Sequence, residues 1–165
     1  MVDRNTNANR GKARARGTRG RSPELYASPS KEAGALVYEV CGAVRYEGRW
    51  TFRAPPLADL AASRCPACQR IADREPAGTL HVPADFLAHR DEVVNMIRNV
   101  EEKERAEHAL ERVMEIAEEG GRMTVTTTGI HIAREIAHKL ARRFHRKARL
   151  HYAGDESRVE VDWSD

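Results

Sequence analysis

Apolar, β-forming residues begin at Leu36 and recur through Phe52, interrupted by Gly42 and Gly48. Short apolar runs bounded by glycine are typical of strands joined by tight turns, so this stretch predicts two or three short strands. Residues 1–35 contain almost nothing that can be buried. Their small, polar and basic residues, with three Arg-Gly pairs, predict a disordered basic tail.

A helical pattern follows between residues 84 and 119. Apolar side chains recur at helical spacing towards both ends of this segment, and a strongly charged stretch, Glu101 to Glu107, separates them. The charged stretch is either a bend between two helices or a long solvent-exposed stretch. We expect a helical hairpin that ends at Gly120-Gly121.

The last part of the chain predicts a strand, a helix and two further strands. Residues 123–127 have strand character, and Thr127 or Thr128 is the expected N-cap of the helix. Two strands, residues 148–152 and 158–163, follow with hairpin turn residues between them. The apolar face of the helix comprises Ile132, Ala133, Ile136, Ala137, Leu140 and Phe144.

These elements predict an α+β fold in three parts. Residues 1–35 form the tail, residues 36–83 a small β module, and residues 84–165 an α+β domain that contains the helical hairpin and a β-α-β-β unit. A chain of 165 residues has no room for a large multidomain enzyme. Because the sequence shows neither a membrane-length apolar run nor a secretory signal, we expect a cytoplasmic protein without membrane association.

Charge is segregated along the chain, although the formal net charge is only +3. Residues 1–22 carry a net +6, and residues 84–119 carry a net −6. Cationic residues in the tail and along the last helix are suited to bind phosphate, whereas an ordinary solvated face is the alternative for the helix. The candidate nucleic-acid-binding residues are Arg10, Arg14, Arg16, Arg19 and Arg21 in the tail, and Arg134, His138, Arg142, Arg146 and Arg149 near the C-terminus.

The three cysteines form an incomplete metal-binding pattern. Cys65-Pro66-Ala67-Cys68 is an intact CxxC knuckle, and Cys41-Gly42 ends like a second knuckle, but Tyr38 stands where its partner cysteine belongs. Structural zinc takes four protein ligands, and His81 is the nearest imidazole after the intact knuckle. We therefore predict a zinc site of Cys41, Cys65, Cys68 and His81.

Two alternatives to the zinc site stay open. The cysteines can pack in a core without metal, or the CxxC pair can carry thiol redox chemistry. The redox alternative is disfavoured because a redox CxxC opens a helix, whereas this one follows a Pro-rich loop. His131, His138 and His145 lie seven residues apart, about 10.5 Å along a helix, which is too far for two of them to share one ion.

The stretch from Tyr38 to Trp163 resembles a bacterial family associated with a low-oxygen-activated gene locus. That family is itself distantly similar to the zinc-bearing adaptor of archaea and eukaryotes that binds the large ribosomal subunit. The segments that carry the resemblance are Cys41-Gly42-Ala43-Val44, Gly48-Arg49-Trp50, Cys65-Pro66-Ala67-Cys68-Gln69-Arg70-Ile71, Pro76-Ala77-Gly78, Ala106-Glu107-His108, Leu110-Glu111-Arg112 and Val125-Thr126-Thr127-Thr128 leading into His131.

The resemblance implies a zinc-ribbon module, an α+β C-terminal part and contact with ribosomal RNA, but no established activity. This chain departs from the family at two positions: Tyr38 replaces a family cysteine, and Gly129 stands where the family usually has aspartate. The first departure removes a metal ligand. The second removes a carboxylate that would favour the start of the helix.

Known catalytic strings are absent from the sequence, which contains no P-loop, GxGxxG, HExxH or GxSxG motif. We therefore expect a non-enzymatic RNA- or ribosome-associated protein, used under stress, with a structural zinc module. A protein-interaction adaptor that docks a basic partner on the acidic helical hairpin is the main alternative. A thiol redox protein is a minor one.

Overall fold

The computed structural model describes residues 26, 36–38, 40–56, 60–153 and 157–164. The predicted α+β class is confirmed. The elements in order are β1 (Leu36–Tyr38), β2 (Val44–Tyr46), β3 (Arg49–Thr51), β4 (Ala61–Ser63), α1 (Pro66–Asp73), β5 (Gly78–Val82), a 3-10 segment (Ala84–His89), α2 (Arg90–Glu107), β6 (Val113–Glu119), β7 (Arg122–Thr127), α3 (Ile130–Phe144), β8 (Lys147–Ala153) and β9 (Arg158–Ser164).

The strands form two mixed sheets. The N-terminal sheet has the order β3-β2-β1-β4, in which β1 is antiparallel to β2 and parallel to β4. The C-terminal sheet has the order β6-β7-β5-β9-β8, in which β5 is parallel to β9 and the other neighbours are antiparallel. Since β5 is its middle strand, the C-terminal sheet begins before the boundary expected at residue 84.

The main core lies between the C-terminal sheet and α3, with α2 packed against α3. Helical spacing places one face of α3 against the sheet, as expected, with Ile132, Ala133, Ile136, Ala137 and Leu140 buried. Gly78 of β5 permits this close packing, because a Cβ there would collide with the side chains of Ala133 and Thr127. Among the described residues, no helix combines the length and apolar character needed to cross a bilayer.

The region predicted as a disordered tail contributes one described residue, Tyr26. Its ring is 8% exposed and lies under the guanidinium of Arg70, and its hydroxyl donates to Oδ2 of Asp73 at 3.2 Å. Tyr26 is therefore packed against α1. The five arginines proposed there as phosphate contacts lie outside the described residues: Arg10, Arg14, Arg16, Arg19 and Arg21.

The predicted helical hairpin is wrong. Helix α2 continues through the charged stretch to Glu107, and the expected second helix is instead strand β6. Gly120 and Gly121 form the two-residue turn between β6 and β7, with φ of 57° and 74°, since Glu119 pairs with Arg122. Such a turn requires positive φ at both positions, which glycine adopts without strain.

The start of α3 is stabilised by Glu111 and not by a threonine cap, so that prediction is also wrong. Gly129 is the N-cap residue, and Oε2 of Glu111 accepts a hydrogen bond from the backbone N–H of Ile132 at 3.0 Å. The hydroxyl of Thr128 instead accepts from the backbone N–H of Arg112 at 2.9 Å. These bonds tie the first turn of α3 to the loop before β6.

A substitution at Gly129 tests this cap. A Cβ at Gly129 would collide with the Glu111 carboxylate and displace it from the helix end. We expect Gly129→Ala to lower the free energy of unfolding, measured by urea denaturation, by about 1 kcal/mol, the usual value of a helix cap. Glu111→Ala should cost a similar amount. In the Glu111→Ala variant, Gly129→Ala should lower the free energy of unfolding by much less than it does in the wild type, because the carboxylate that it displaces is already absent. An equal loss in the wild type and in Glu111→Ala would contradict the mechanism.

Candidate metal centre

The fold brings all three cysteines together. Cys41 lies in the turn between β1 and β2, while Cys65 and Cys68 lie at the N-terminal end of α1. All three are free thiols, and their sulfur atoms lie within 4.8 Å of one another. Sulfur ligands at this separation are able to hold one metal ion, since metal–thiolate bonds of about 2.3 Å would place the ion among them.

The β1–β2 turn presents Cys41 but replaces the second thiolate of this knuckle with an aromatic ring. The Gly42 N–H donates to the Tyr38 carbonyl at 2.7 Å, and the Tyr38 N–H donates to the Ala43 carbonyl at 2.8 Å. The Tyr38 ring is fully buried and stacks on Trp50, with 3.5 Å between the ring centroids. At this position the chain therefore gains packing in place of a metal ligand.

The CxxC pair opens α1. Cys65 is the N-cap residue, Pro66 occupies the first turn, and the Cys65 sulfur accepts from the Cys68 N–H at 3.3 Å. The expectation that this CxxC does not open a helix is therefore wrong. Burial nevertheless raises the pKa of Cys65 to about 12, against the opposing effects of the Cys68 N–H and of the Arg112 guanidinium.

Arg112, from the loop before β6, completes the cluster. Its Nη1 donates to the Cys68 sulfur at 3.3 Å, and its Nη2 donates to the sulfurs of Cys41 and Cys65 at 3.3 and 3.4 Å. Its Nε donates to the Ala109 carbonyl at 3.0 Å. Arg112 is only 7% exposed, yet the sulfur contacts outweigh burial and raise its pKa. A buried cation of this kind requires negative charge beside it.

Cys41 is the thiol best placed to supply that charge. Burial opposes its ionisation, but the Ala43 N–H and the Arg112 guanidinium together outweigh burial and lower the pKa of Cys41. One thiolate at Cys41 would neutralise Arg112 in a metal-free cluster. Three thiolates, one divalent ion and Arg112 also carry no net charge together, so the donor set fits a metal with Arg112 as a hydrogen-bond donor to sulfur.

His81 does not join this cluster, and the zinc ligand set predicted from the sequence is corrected accordingly. His81 lies on β5, and its Nε2 lies 2.7 Å from Oε1 of Glu160 on β9. The fourth side chain among the cysteines is Arg112, which the sequence analysis missed. No local signal marks it, because its sulfur partners lie 44 to 71 residues earlier in the chain.

The basic residues near the C-terminus divide into paired and unpaired groups. Nη2 of Arg146 lies 2.6 Å from Oδ2 of Asp85, so Arg146 is neutralised within the fold. In the parts of the chain that the structure describes, no carboxylate lies at ion-pairing distance from Arg134, Arg142 or Arg149. The exposed members of the predicted set are Arg134, His138 and Arg142 on α3 and Arg149 on β8.

Comparisons with family models, with curated proteins and with solved structures found no match to this chain. The resemblance to the bacterial family therefore stays a prediction from the sequence segments.

Alkylation of the metal-free protein tests the electrostatics of the cluster. At neutral pH we expect iodoacetamide to modify Cys41 faster than Cys65, because the pKa of Cys41 is lowered and that of Cys65 is raised. Arg112→Leu should slow modification of Cys41, since it removes the adjacent positive charge. Peptide mapping by mass spectrometry gives the rate at each cysteine.

The matched control is Arg105→Leu. Arg105 lies over the Phe52 ring beside the same loop, and no sulfur contact from it is recorded among the described residues. Near-UV circular dichroism, to which Trp50 and Trp163 both contribute, verifies that each variant is folded. Faster labelling of Cys65 than of Cys41, or equal effects of the two arginine substitutions, would contradict the assignment.

Proposed function

We propose that this protein is a non-enzymatic RNA-binding protein, associated with ribosomal RNA, whose N-terminal module is stabilised by a structural zinc ion. The observation that carries the proposal is the row of exposed cations on α3 and β8 that lack carboxylate partners among the described residues. Polyanion binding requires such groups, because each contact with a phosphate releases a bound counterion.

The spacing of this row suits an extended phosphate backbone. Arg134, His138 and Arg142 lie four residues apart, so they follow one flank of α3 in steps of about 6 Å. Lys147 and Arg149 lie two residues apart on the edge strand β8, and both are exposed. Backbone contacts of this kind give affinity for RNA without selecting a base sequence.

The acidic segment favours RNA binding over the protein-adaptor alternative. The helical hairpin on which that alternative depends is not formed, and many carboxylates of residues 84–119 are used inside the fold. The pairs are Asp85 with Arg146, Glu92 with Arg143, Glu101 with Arg98 and the Val113 N–H, Glu104 with His131, Glu111 with the Ile132 N–H, and Glu118 with Arg90.

Zinc is the ion that we assign to the cysteine cluster. Thiolate ligands suit zinc, and Arg112 on the sulfurs is the kind of outer hydrogen-bond donor that fixes ligand orientation. The ion would join the β1–β2 turn directly to the start of α1, in addition to the hydrogen bonds that Arg112 donates to the sulfur atoms of both. Such a site contributes directly to folding.

RNA binding is tested by fluorescence anisotropy with a single-stranded RNA at several salt concentrations. We expect Arg134→Gln and Arg142→Gln each to weaken binding and to reduce the slope of log affinity against log salt by about 0.7, the value for one lost phosphate contact. Arg143→Gln is the matched control, because Arg143 lies on the same helix and removes the same charge but is paired with Glu92.

Two outcomes would reject this function. The first is the absence of RNA binding by the full chain at low salt. The second is an equal loss of affinity in the Arg142→Gln and Arg143→Gln variants. The loss of one positive charge anywhere on α3 would then explain the weaker binding, and the row of cations without carboxylate partners would not be needed.

The zinc assignment is tested by replacing the native ion with Co²⁺. Thiolate ligation should give a sulfur-to-cobalt charge-transfer absorption, and Cys68→Ser should greatly weaken it and lower the thermal midpoint of unfolding. Added Zn²⁺ should displace the cobalt and abolish the absorption. A Co²⁺ spectrum without the sulfur-to-cobalt charge-transfer absorption would contradict the assignment.

A further inference from the structure

A second group of metal-ligating side chains lies where the end of α2 meets the start of α3. Glu104 belongs to the last turns of α2, His108 follows that helix directly, and His131 lies in the first turn of α3. One carboxylate oxygen and two imidazole nitrogens lie within 4.8 Å of one another. We propose that this group, the His-His-Glu site, binds a divalent transition-metal ion, with Zn²⁺ as the best fit.

The donor set matches the proposed ion. Two imidazoles and one carboxylate are the protein ligands of many open zinc sites, and the same set suits other first-row divalent ions. Glu104 and His108 are separated by four residues, so their side chains lie on one flank of the chain, while His131 approaches from the packed neighbouring helix. The ligands are thus provided by elements whose relative position the core already fixes.

The existing contact between Glu104 and His131 has nearly the length that a shared ion requires. Nε2 of His131 lies 3.0 Å from Oε2 of Glu104. Tetrahedral zinc with bonds of about 2.0–2.1 Å to nitrogen and oxygen separates its ligand atoms by about 3.3 Å. A metal ion would therefore fit between these two atoms with little movement, and His108 would supply the third bond.

Burial of Glu104 gives a reason for a cation at this place. Glu104 is 6% exposed and continues the buried face of α2 formed by Val93, Ile97 and Val100. A carboxylate on such a face is costly unless it is paired with a charge. Among the described residues His131 is its one ion-pairing partner, at 3.0 Å, whereas a divalent ion held jointly with His108 would compensate the carboxylate charge more fully.

The site is open on one side. A cavity of about 580 Å³ is lined by His108 and His131 together with Arg49, Trp50 and Leu110. This cavity offers an entry path for the ion and room for water or another ligand in the fourth position. The cysteine cluster differs from this site, because Arg112 donates hydrogen bonds to all three of its sulfur atoms.

The test counts metal ions bound per full-length chain by equilibrium dialysis against Zn²⁺ alone, followed by elemental analysis. We expect two ions in the wild type. His108→Ala should lose one ion but keep the thiolate absorption with Co²⁺, and Cys68→Ser should lose the other. His151→Ala is the matched control, because it removes an exposed histidine that lies outside both proposed sites and should retain both ions.

The choice of His108 keeps the experiment interpretable. His131→Ala would remove the one ion-pairing partner that the buried Glu104 carboxylate has among the described residues, so we expect it to destabilise the fold. His108→Ala preserves the Glu104–His131 contact. A wild type that binds one ion, lost in Cys68→Ser and retained in His108→Ala, would overturn the proposal. So would an unchanged ion count in His108→Ala, whatever the result of the RNA measurements.

Discussion

A buried guanidinium among three sulfur atoms holds the two modules of this protein together. Arg112 belongs to the C-terminal module through its backbone, which exchanges hydrogen bonds with Thr128, and its side chain contacts cysteines of the N-terminal module. Ala109 and Leu110 of the same loop pack beside Tyr38 in the small core. Burying the Arg112 cation is energetically costly unless negative charge lies beside it. The arrangement of the modules that places the cysteine sulfur atoms around Arg112 is therefore favoured over others.

The same contact decides which chemistry the cysteines can support. A thiol at a helix N-terminus normally ionises easily, but burial raises the pKa of Cys65 to about 12, while Arg112 and the Ala43 N–H lower that of Cys41. Cys41, the thiol whose pKa is lowered, therefore lies outside the CxxC pair. Burial of Cys65 therefore weighs against redox chemistry at this residue, although its place at a helix start, which the sequence did not predict, would favour it. A metal ion, which deprotonates its own ligands, does not meet this obstacle.

The parts of the fold that follow from local patterns could be predicted, and the parts that depend on distant partners could not. Helix α3 and the β8–β9 pair have clear periodicity. The sequence of strand β6 predicts a helix because Met, Glu and Ala favour helix, although the Gly120-Gly121 pair that follows it is also a two-residue hairpin signal. The burial of Glu104 could have been predicted from the sequence, since Glu104 continues the helical spacing of the apolar residues Val93, Ile97 and Val100. The role of Arg112 had none, because only the tertiary fold brings it to the cysteines.

Charge that is segregated along the sequence becomes partly neutralised in space. The acidic segment reaches one end of the basic row, where Glu92 binds Arg143 and Asp85 binds Arg146, so fewer cations stay available than the sequence indicates. Within the described residues, the part of the row without carboxylate partners begins at Arg134, three residues after His131 of the proposed site. A divalent ion in the His-His-Glu site would lie at the start of that row and strengthen its positive field. The second metal site and the proposed RNA surface would then share one flank of α3.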